Sequence, residues 1–243
     1  SYSNSSSASE LIHVASATLT SPEHDANEHI YHMGCRNEKC AAHKYVADKA
    51  GNIVVTKDAN NKFVATEDLT LADGEDFKDY EAFTSKTISY SRTIPEGAAW
   101  GTLCLPFAID QSQETECKFY RLTGIDNDNK CITLESYEEG AVIPAGTPVL
   151  FKMNEGETSL SLFASNTEII TAPTVGTASD VNLVGSFTKI GGNDNQGLDK
   201  NDYIIGKDKF WRVSDLNDGN GVASNRCVHI FILPMYLKQE QPC

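Results

Sequence analysis

WGTLCLPF, residues 100–107, is a short, densely apolar run closed by Pro106 and Phe107. A run of this length, ended by a residue that cannot donate to a ladder, reads as a buried β-strand rather than a helix. IPAGTPVLFK at 143–152 and YIIGKDKFWRV at 203–213 repeat the pattern, with Gly and Pro turns between apolar segments. Upstream, Ile88, Tyr90, Arg92 and Ile94 alternate against Thr87, Ser89, Ser91 and Thr93, the period of a half-buried strand. Residues 117–125 and 131–137 flank Asp126-Asn127-Asp128-Asn129, whose side chains bond their own backbone and tolerate left-handed angles, so a hairpin is expected there. Further strands are expected at 147–153, 160–163, 169–171, 181–187 and 227–233, and a second hairpin joins 203–205 to 210–213 about Gly206-Lys207-Asp208-Lys209. About ten short strands with no amphipathic helical period predict a mainly β fold, an antiparallel β-sandwich of the jelly-roll kind.

Charge narrows the partners. The chain has 20 basic and 34 acidic residues and a formal net charge of −14. That balance repels phosphate backbones and anionic headgroups, which argues against nucleic acid as a partner. No stretch approaches the roughly 20 apolar residues that cross a bilayer, so no membrane insertion is expected of this chain. It begins at Ser1, and SYSNSSSAS reads as a polar, flexible lead-in to an interior or processed start. Seven cysteines preclude complete pairing within the chain. Cys104, Cys117, Cys131 and Cys227 fall inside apolar segments, where cysteine commonly serves as a small buried hydrophobe.

Composition changes near residue 70. All but one of the 6 histidines precede it, together with Cys35 and Cys40. Two units are therefore expected: a small Cys/His module over 1–68 and a β-sandwich over 69–243. His13, His24, His29, His32, Cys35, Cys40 and His43 gather imidazole and thiolate donors, and four such donors in a tetrahedron satisfy zinc. A segment this small gains from a metal, because it cannot bury a large core. A Cys35–Cys40 disulfide, free thiols and ordinary surface histidines remain the alternatives.

From LADGEDF and ISYSRTI through WGTLCLPF and IPAGTPVLFK to FWRV and the last apolar strand, residues 69–237 resemble a module of secreted and surface-exposed proteins of Bacteroidetes gut bacteria. The resemblance implies a β-sandwich in a noncatalytic extracellular or cell-surface protein, attached to other modules, and it carries over no catalytic residue. Upstream, the His and Cys positions followed by KYVADKAGN at 44–52 resemble small Cys/His modules of the same class of proteins. The likeness implies His13, His24, Cys35 and Cys40 as the candidate zinc ligands, with His43 and His32 as substitutes; the departures are an expanded spacing between Cys35 and Cys40 and Ala41 where glycine is expected.

Direct reading of the residues finds no catalytic set. There is no Gly-x-Ser-x-Gly elbow, His-Glu-x-x-His helix or phosphate-binding glycine loop, and His229 has no identifiable nucleophile. Glu138 and Glu139 are adjacent on a strand end and point to opposite faces, so they cannot converge on one glycosidic bond. Asp215, Asn217 and Asp218 before Gly219, and Asp194, Asp199 and Asp202, offer oxygen ligands but complete no calcium loop. Trp100, Phe107, Phe151, Phe210 and Trp211 are the aromatic candidates for stacking on a sugar ring. Most are expected in the core. Trp211, beside the polar 206–209 turn, is the candidate ligand-binding residue. The expected function is structural display, adhesion, or binding of a glycan or of a host or bacterial surface protein. The alternative is a glycan-binding accessory module of a polysaccharide hydrolase.

Overall fold

The computed structural model describes residues 29–32, 43–126, 131–174, 182–191, 200–216, 221–223 and 226–230. In chain order the strands are β1 (His29–His32), β2 (His43–Val46), β3 (Val54–Lys57), β4 (Phe63–Ala65), β5 (Leu69–Leu71), β6 (Phe83–Thr93) and β7 (Trp100–Leu103). They continue with β8 (Ile109–Asp110), β9 (Cys117–Asp126), β10 (Cys131–Ser136), β11 (Val142–Ile143), β12 (Val149–Met153) and β13 (Ser159–Ile169). The last are β14 (Asn182–Ser186), β15 (Ile190–Gly191), β16 (Asp202–Gly206), β17 (Lys209–Arg212), β18 (Gly221–Val222) and β19 (Arg226–Ile230). No α-helix occurs among the described residues, and none of their helical segments is long and apolar enough to cross a membrane. The protein is mainly β.

Two compact units divide the chain. The first comprises Ser1–Leu69, Lys78–Ile88 and Ser165–Thr171. Its sheet runs in the order β1-β2-β3-β4-β6-β13, with β5 also paired to β6. The β1–β2 and β4–β6 pairs are parallel and the β2–β3 and β3–β4 pairs antiparallel, so this sheet is mixed. Side-chain carboxylates shape its turns. Asp48 Oδ1 accepts the N–H groups of Asn52 and Ile53 at 2.8 and 2.7 Å, and Gly51 supplies the positive φ of 79° that this loop needs. Asp58 Oδ1 does the same for Asn60 and Lys62 between β3 and β4.

The second unit comprises Thr70–Phe77, Ser89–Ala164 and Ala172–Cys243. It holds two four-stranded sheets, β10-β9-β12-β7 and β14-β19-β16-β17, and the small pairs β11-β8 and β15-β18. Every described pairing within these sheets is antiparallel. A core cluster of Leu150 from the first sheet with Tyr203 and Phe210 from the second, flanked by Trp100, Tyr120, Leu122, Ile132, Leu134, Leu183 and Ile205, joins the two sheets through their apolar faces. The opening phrase lies at the centre of this packing. Phe151 on β12 pairs with Gly101 on β7, and a Cβ at Gly101 would stand 2.4 Å from the Phe151 Cζ. Glycine there lets the ring lie across the neighbouring strand. Gly185 plays the same part against Cys104, whose Sγ would meet an added Cβ at 2.2 Å.

Both expected hairpins form, β9 with β10 and β16 with β17. In the second, Lys207 and Asp208 take φ of 49° and 58°, the pair of left-handed residues that matches a two-residue turn to strand twist. Other boundaries differ from expectation. The 100–107 run leaves the ladder after Leu103, although Cys104, Leu105 and Phe107 stay buried. The run at 160–163 and Ile169 belong to one strand, β13, which continues through Asn166 at φ 48° and ends before residues 170–171, so the polar stretch between them is a local kink rather than a turn.

Candidate functional site

His13, His24, Cys35 and Cys40 lie outside the described residues. His32 and His43 are on β1 and β2, where the parallel pairing sets His29 opposite His43 and His32 opposite Val46. Among the described residues no three His, Cys, Asp or Glu side chains converge as a metal site. The acidic loops read for calcium contribute Asp202, buried on β16, and Asp215, in a short 3-10 turn. Asp194, Asp199, Asn217 and Asp218 lie outside the described residues.

Cysteine chemistry requires one correction. Cys131, expected as a buried thiol, is disulfide-bonded, and its partner lies outside the described residues. Strand placement alone cannot distinguish a packed thiol from one bonded to a distant segment. Cys104, Cys117 and Cys227 are buried free thiols as expected. Burial raises all three above the ordinary thiol range, so they stay protonated at neutral pH and lack the thiolate a nucleophile needs.

The aromatic candidates separate by burial. Phe107, Phe151 and Phe210 are in the core, Trp100 is half-buried against Tyr120 at 5.2 Å, and Trp211 is 41% exposed. Trp211 sits on the edge strand β17, and its indole N–H donates to the Gly206 carbonyl at 2.8 Å. That bond fixes the ring and leaves apolar surface facing water. The turn beside it is anchored as well, because the Asp208 carboxylate accepts the N–H groups of Ala99 and Trp100 at 2.9 and 2.8 Å. With Asp208 so engaged, the exposed charges within four residues of Trp211 are Lys207, Lys209 and Asp215.

A second constellation, in the same unit, was not singled out from sequence. Arg226 on β19 forms a two-pronged pair with Asp73, Nη1 to Oδ1 at 2.7 Å and Nη2 to Oδ2 at 3.0 Å. Tyr90 on β6 donates to Asp73 Oδ1 at 2.6 Å and accepts from Arg226 Nη1 at 2.9 Å. Arg92, two residues further along β6, donates to the Thr102 carbonyl at 2.8 Å and lies over the Phe151 ring at 5.2 Å. No carboxylate among the described residues pairs with Arg92.

Burial, followed by repulsion from Arg226, pulls the Arg92 guanidinium down to about 10. Burial also lifts the Tyr90 phenol to about 12, keeping it neutral. For Asp73, burial pushes upward, but the hydrogen bonds from Arg226 and Tyr90 outweigh it and hold the carboxyl below its usual range. Arg92, Thr102, Ile204, Ile205, Val222, Ala223, Arg226 and Cys227 line a cavity of about 210 Å³. A second cavity, of about 60 Å³ beside Phe107 and Phe163, is smaller still.

Two carboxyls stand apart from these arrangements. Asp79, in the first unit, is 7% exposed, and neither oxygen accepts a hydrogen bond from another described residue. Burial raises it to about 7. Glu114 is likewise raised to about 7, by burial first; its Oε1 accepts the Glu116 N–H at 2.7 Å while Oε2 is buried without a partner.

Comparison with protein-family models, with curated proteins and with solved structures returns no match.

Proposed function

We propose that this chain is a noncatalytic extracellular or cell-surface module that binds glycan, with its second unit forming a β-sandwich. The observation that carries the proposal is the exposure of Trp211 on an edge strand, fixed by its own hydrogen bond and preceded by the exposed Lys207 and Lys209. An immobilised aromatic face stacks on a sugar ring at little entropic cost, while neighbouring polar groups meet hydroxyls. The disulfide at Cys131 supports an oxidising compartment. On a glycan array, wild-type protein is expected to retain a subset of glycans, and Trp211→Ala to lose them while keeping its melting temperature. Equal retention by the folded variant contradicts the assignment.

For the N-terminal segment over 1–68 we propose zinc held by His13, His24, Cys35 and Cys40. Purified protein should then carry stoichiometric zinc and lose it in Cys35→Ser without loss of the second unit. Zinc-free protein, with mass spectrometry joining Cys35 or Cys40 to each other or to Cys131, contradicts the site.

A further inference from the structure

Two carboxyls of the first unit face each other across a β-bridge. The Lys49 N–H donates to the Lys78 carbonyl at 2.8 Å and the Tyr80 N–H to the Ala47 carbonyl at 2.9 Å, which sets Asp48 directly opposite Asp79 in an antiparallel pair. The two residues exchange no backbone hydrogen bond themselves, and pairs of that kind hold their Cα atoms about 4.5 Å apart with both side chains on one side of the ladder. Each residue is 7% exposed. Like charges placed directly opposite destabilise a pair, so a cation between them would relieve the bridge.

Their oxygens are short of donors. Asp48 Oδ1 accepts the Asn52 and Ile53 N–H groups at 2.8 and 2.7 Å. Asp48 Oδ2 accepts from no described residue and keeps contact with solvent. Both Asp79 oxygens are sealed from water and have no hydrogen-bond partner. The cation that acts on Asp79 is Lys49, yet its amine stands over the Tyr80 ring, 5.9 Å from the centroid, and forms no ion pair with either carboxylate. Three carboxylate oxygens on one side of the bridge are therefore without a donor.

Chemistry selects the ion. Carboxylate oxygen is the ligand atom on offer, which favours a hard cation over zinc or copper. Two carboxylates balance one divalent charge. An ion that reaches the Asp79 oxygens must shed water on that side, which magnesium does reluctantly, whereas calcium accepts an irregular ligand set completed by water. Solvent meets the pair at Asp48 Oδ2, next to a loop in which Lys49, Ala50 and Asn52 are exposed.

We propose that Asp48 and Asp79 form a calcium site that ties the 78–80 segment to the 47–53 loop of the first unit. Only two side chains serve, so the affinity belongs to the weak range of calcium sites, a Kd of about 0.1–1 mM. The site is independent of the glycan reading and of the zinc set. In calcium-free buffer a proton takes the ion's place, in keeping with the rise of the Asp79 carboxyl to about 7.

The test is calorimetric titration of the EDTA-treated whole chain with calcium chloride at pH 8. One site with a Kd in that range is expected, weakened about tenfold or more in Asp79→Asn. In wild-type protein, calcium at about 5 mM should raise the melting temperature of the first unit by a few degrees over EDTA at pH 8, and by less at pH 5, where the proton competes. Should Asp79→Asn fail to fold, Asp48→Asn keeps an acceptor for the Asn52 and Ile53 N–H groups, removes the other charge and should weaken binding likewise. Absence of calcium binding at pH 8 overturns the site. So does binding that the folded variants retain, which would place calcium in other acidic loops, such as those of Asp202 and Asp215. Magnesium binding as tightly as calcium overturns the choice of ion.

Discussion

Phe151→Ala is expected to lower the unfolding free energy by about 3–5 kcal/mol, the range for removing a large aromatic from a packed core. Phe151 is completely buried. Its ring lies across Gly101 and under the Arg92 guanidinium, so truncation empties a space bounded by two strands and removes the apolar support of a buried cation. Against total stabilities of about 5–15 kcal/mol, a loss of this size leaves the second unit marginal. Gly101→Ala should cost about 1–3 kcal/mol for the opposite reason, because its methyl has no room beside the ring. The two effects are coupled. In a Phe151→Leu background the ring tip that meets the new methyl is gone, and Gly101→Ala should then cost less by about 0.5–3 kcal/mol. Urea unfolding of the four proteins in that cycle checks this. Additive losses would mean that the ring does not lie over Gly101.

Asp79→Asn is expected to stabilise the first unit above neutral pH and to change little below about pH 4. Burial raises the folded carboxyl from its ordinary value of 3.8 to about 7, with Lys49 lowering it and Asp48 raising it. The contribution of a group raised in this way is fully present below the unfolded value near 4 and is lost as pH rises through about 7. Wild-type protein should therefore lose stability between about pH 4 and pH 7, by an amount on the order of 1–3 kcal/mol, the penalty for a buried polar group without a partner. Melting curves at pH 5 and pH 8 test this. A variant that gains nothing at pH 8 over its value at pH 5 would falsify the assignment of a buried, unpartnered carboxyl.

How much of this was legible in the sequence follows from which forces act locally. The hairpins at 117–137 and 203–213 were readable because their turn residues declare themselves: Lys207 and Asp208 sit between two apolar runs, and their left-handed angles close the turn. Strands β3 and β4 were missed because VVTK and FVA are too short to show alternation. The sheet that buries Val55 and Ala65 is assembled from segments far apart in sequence. A single boundary near residue 68 is also all that a composition change can express. Segments Lys78–Ile88 and Ser165–Thr171, which group with the first 69 residues, carry no compositional mark.

At the candidate site, the Trp211 position beside a polar turn was legible and the arginine cavity was not. Asp73, Tyr90, Arg92 and Arg226 come from three separate stretches of chain, and Arg92 fits an alternating strand pattern without drawing notice. The only signal available was a cation at the inward-facing position between Tyr90 and Ile94, both of which are buried. Asp79 likewise looks like one more surface acid within a strongly acidic chain until its burial is known.

Binding without turnover is the central claim, and one assay addresses both halves. Purified chain is incubated with neutral and acidic polysaccharides, and the bound fraction and the release of new reducing ends are measured on the same samples. The account predicts retention on at least one polysaccharide, lost in Trp211→Ala, with no reducing ends above the protein-free control. Reducing ends that persist through repurification and vanish on substitution of a single carboxylate, such as Glu114→Gln, would contradict it and establish a hydrolase.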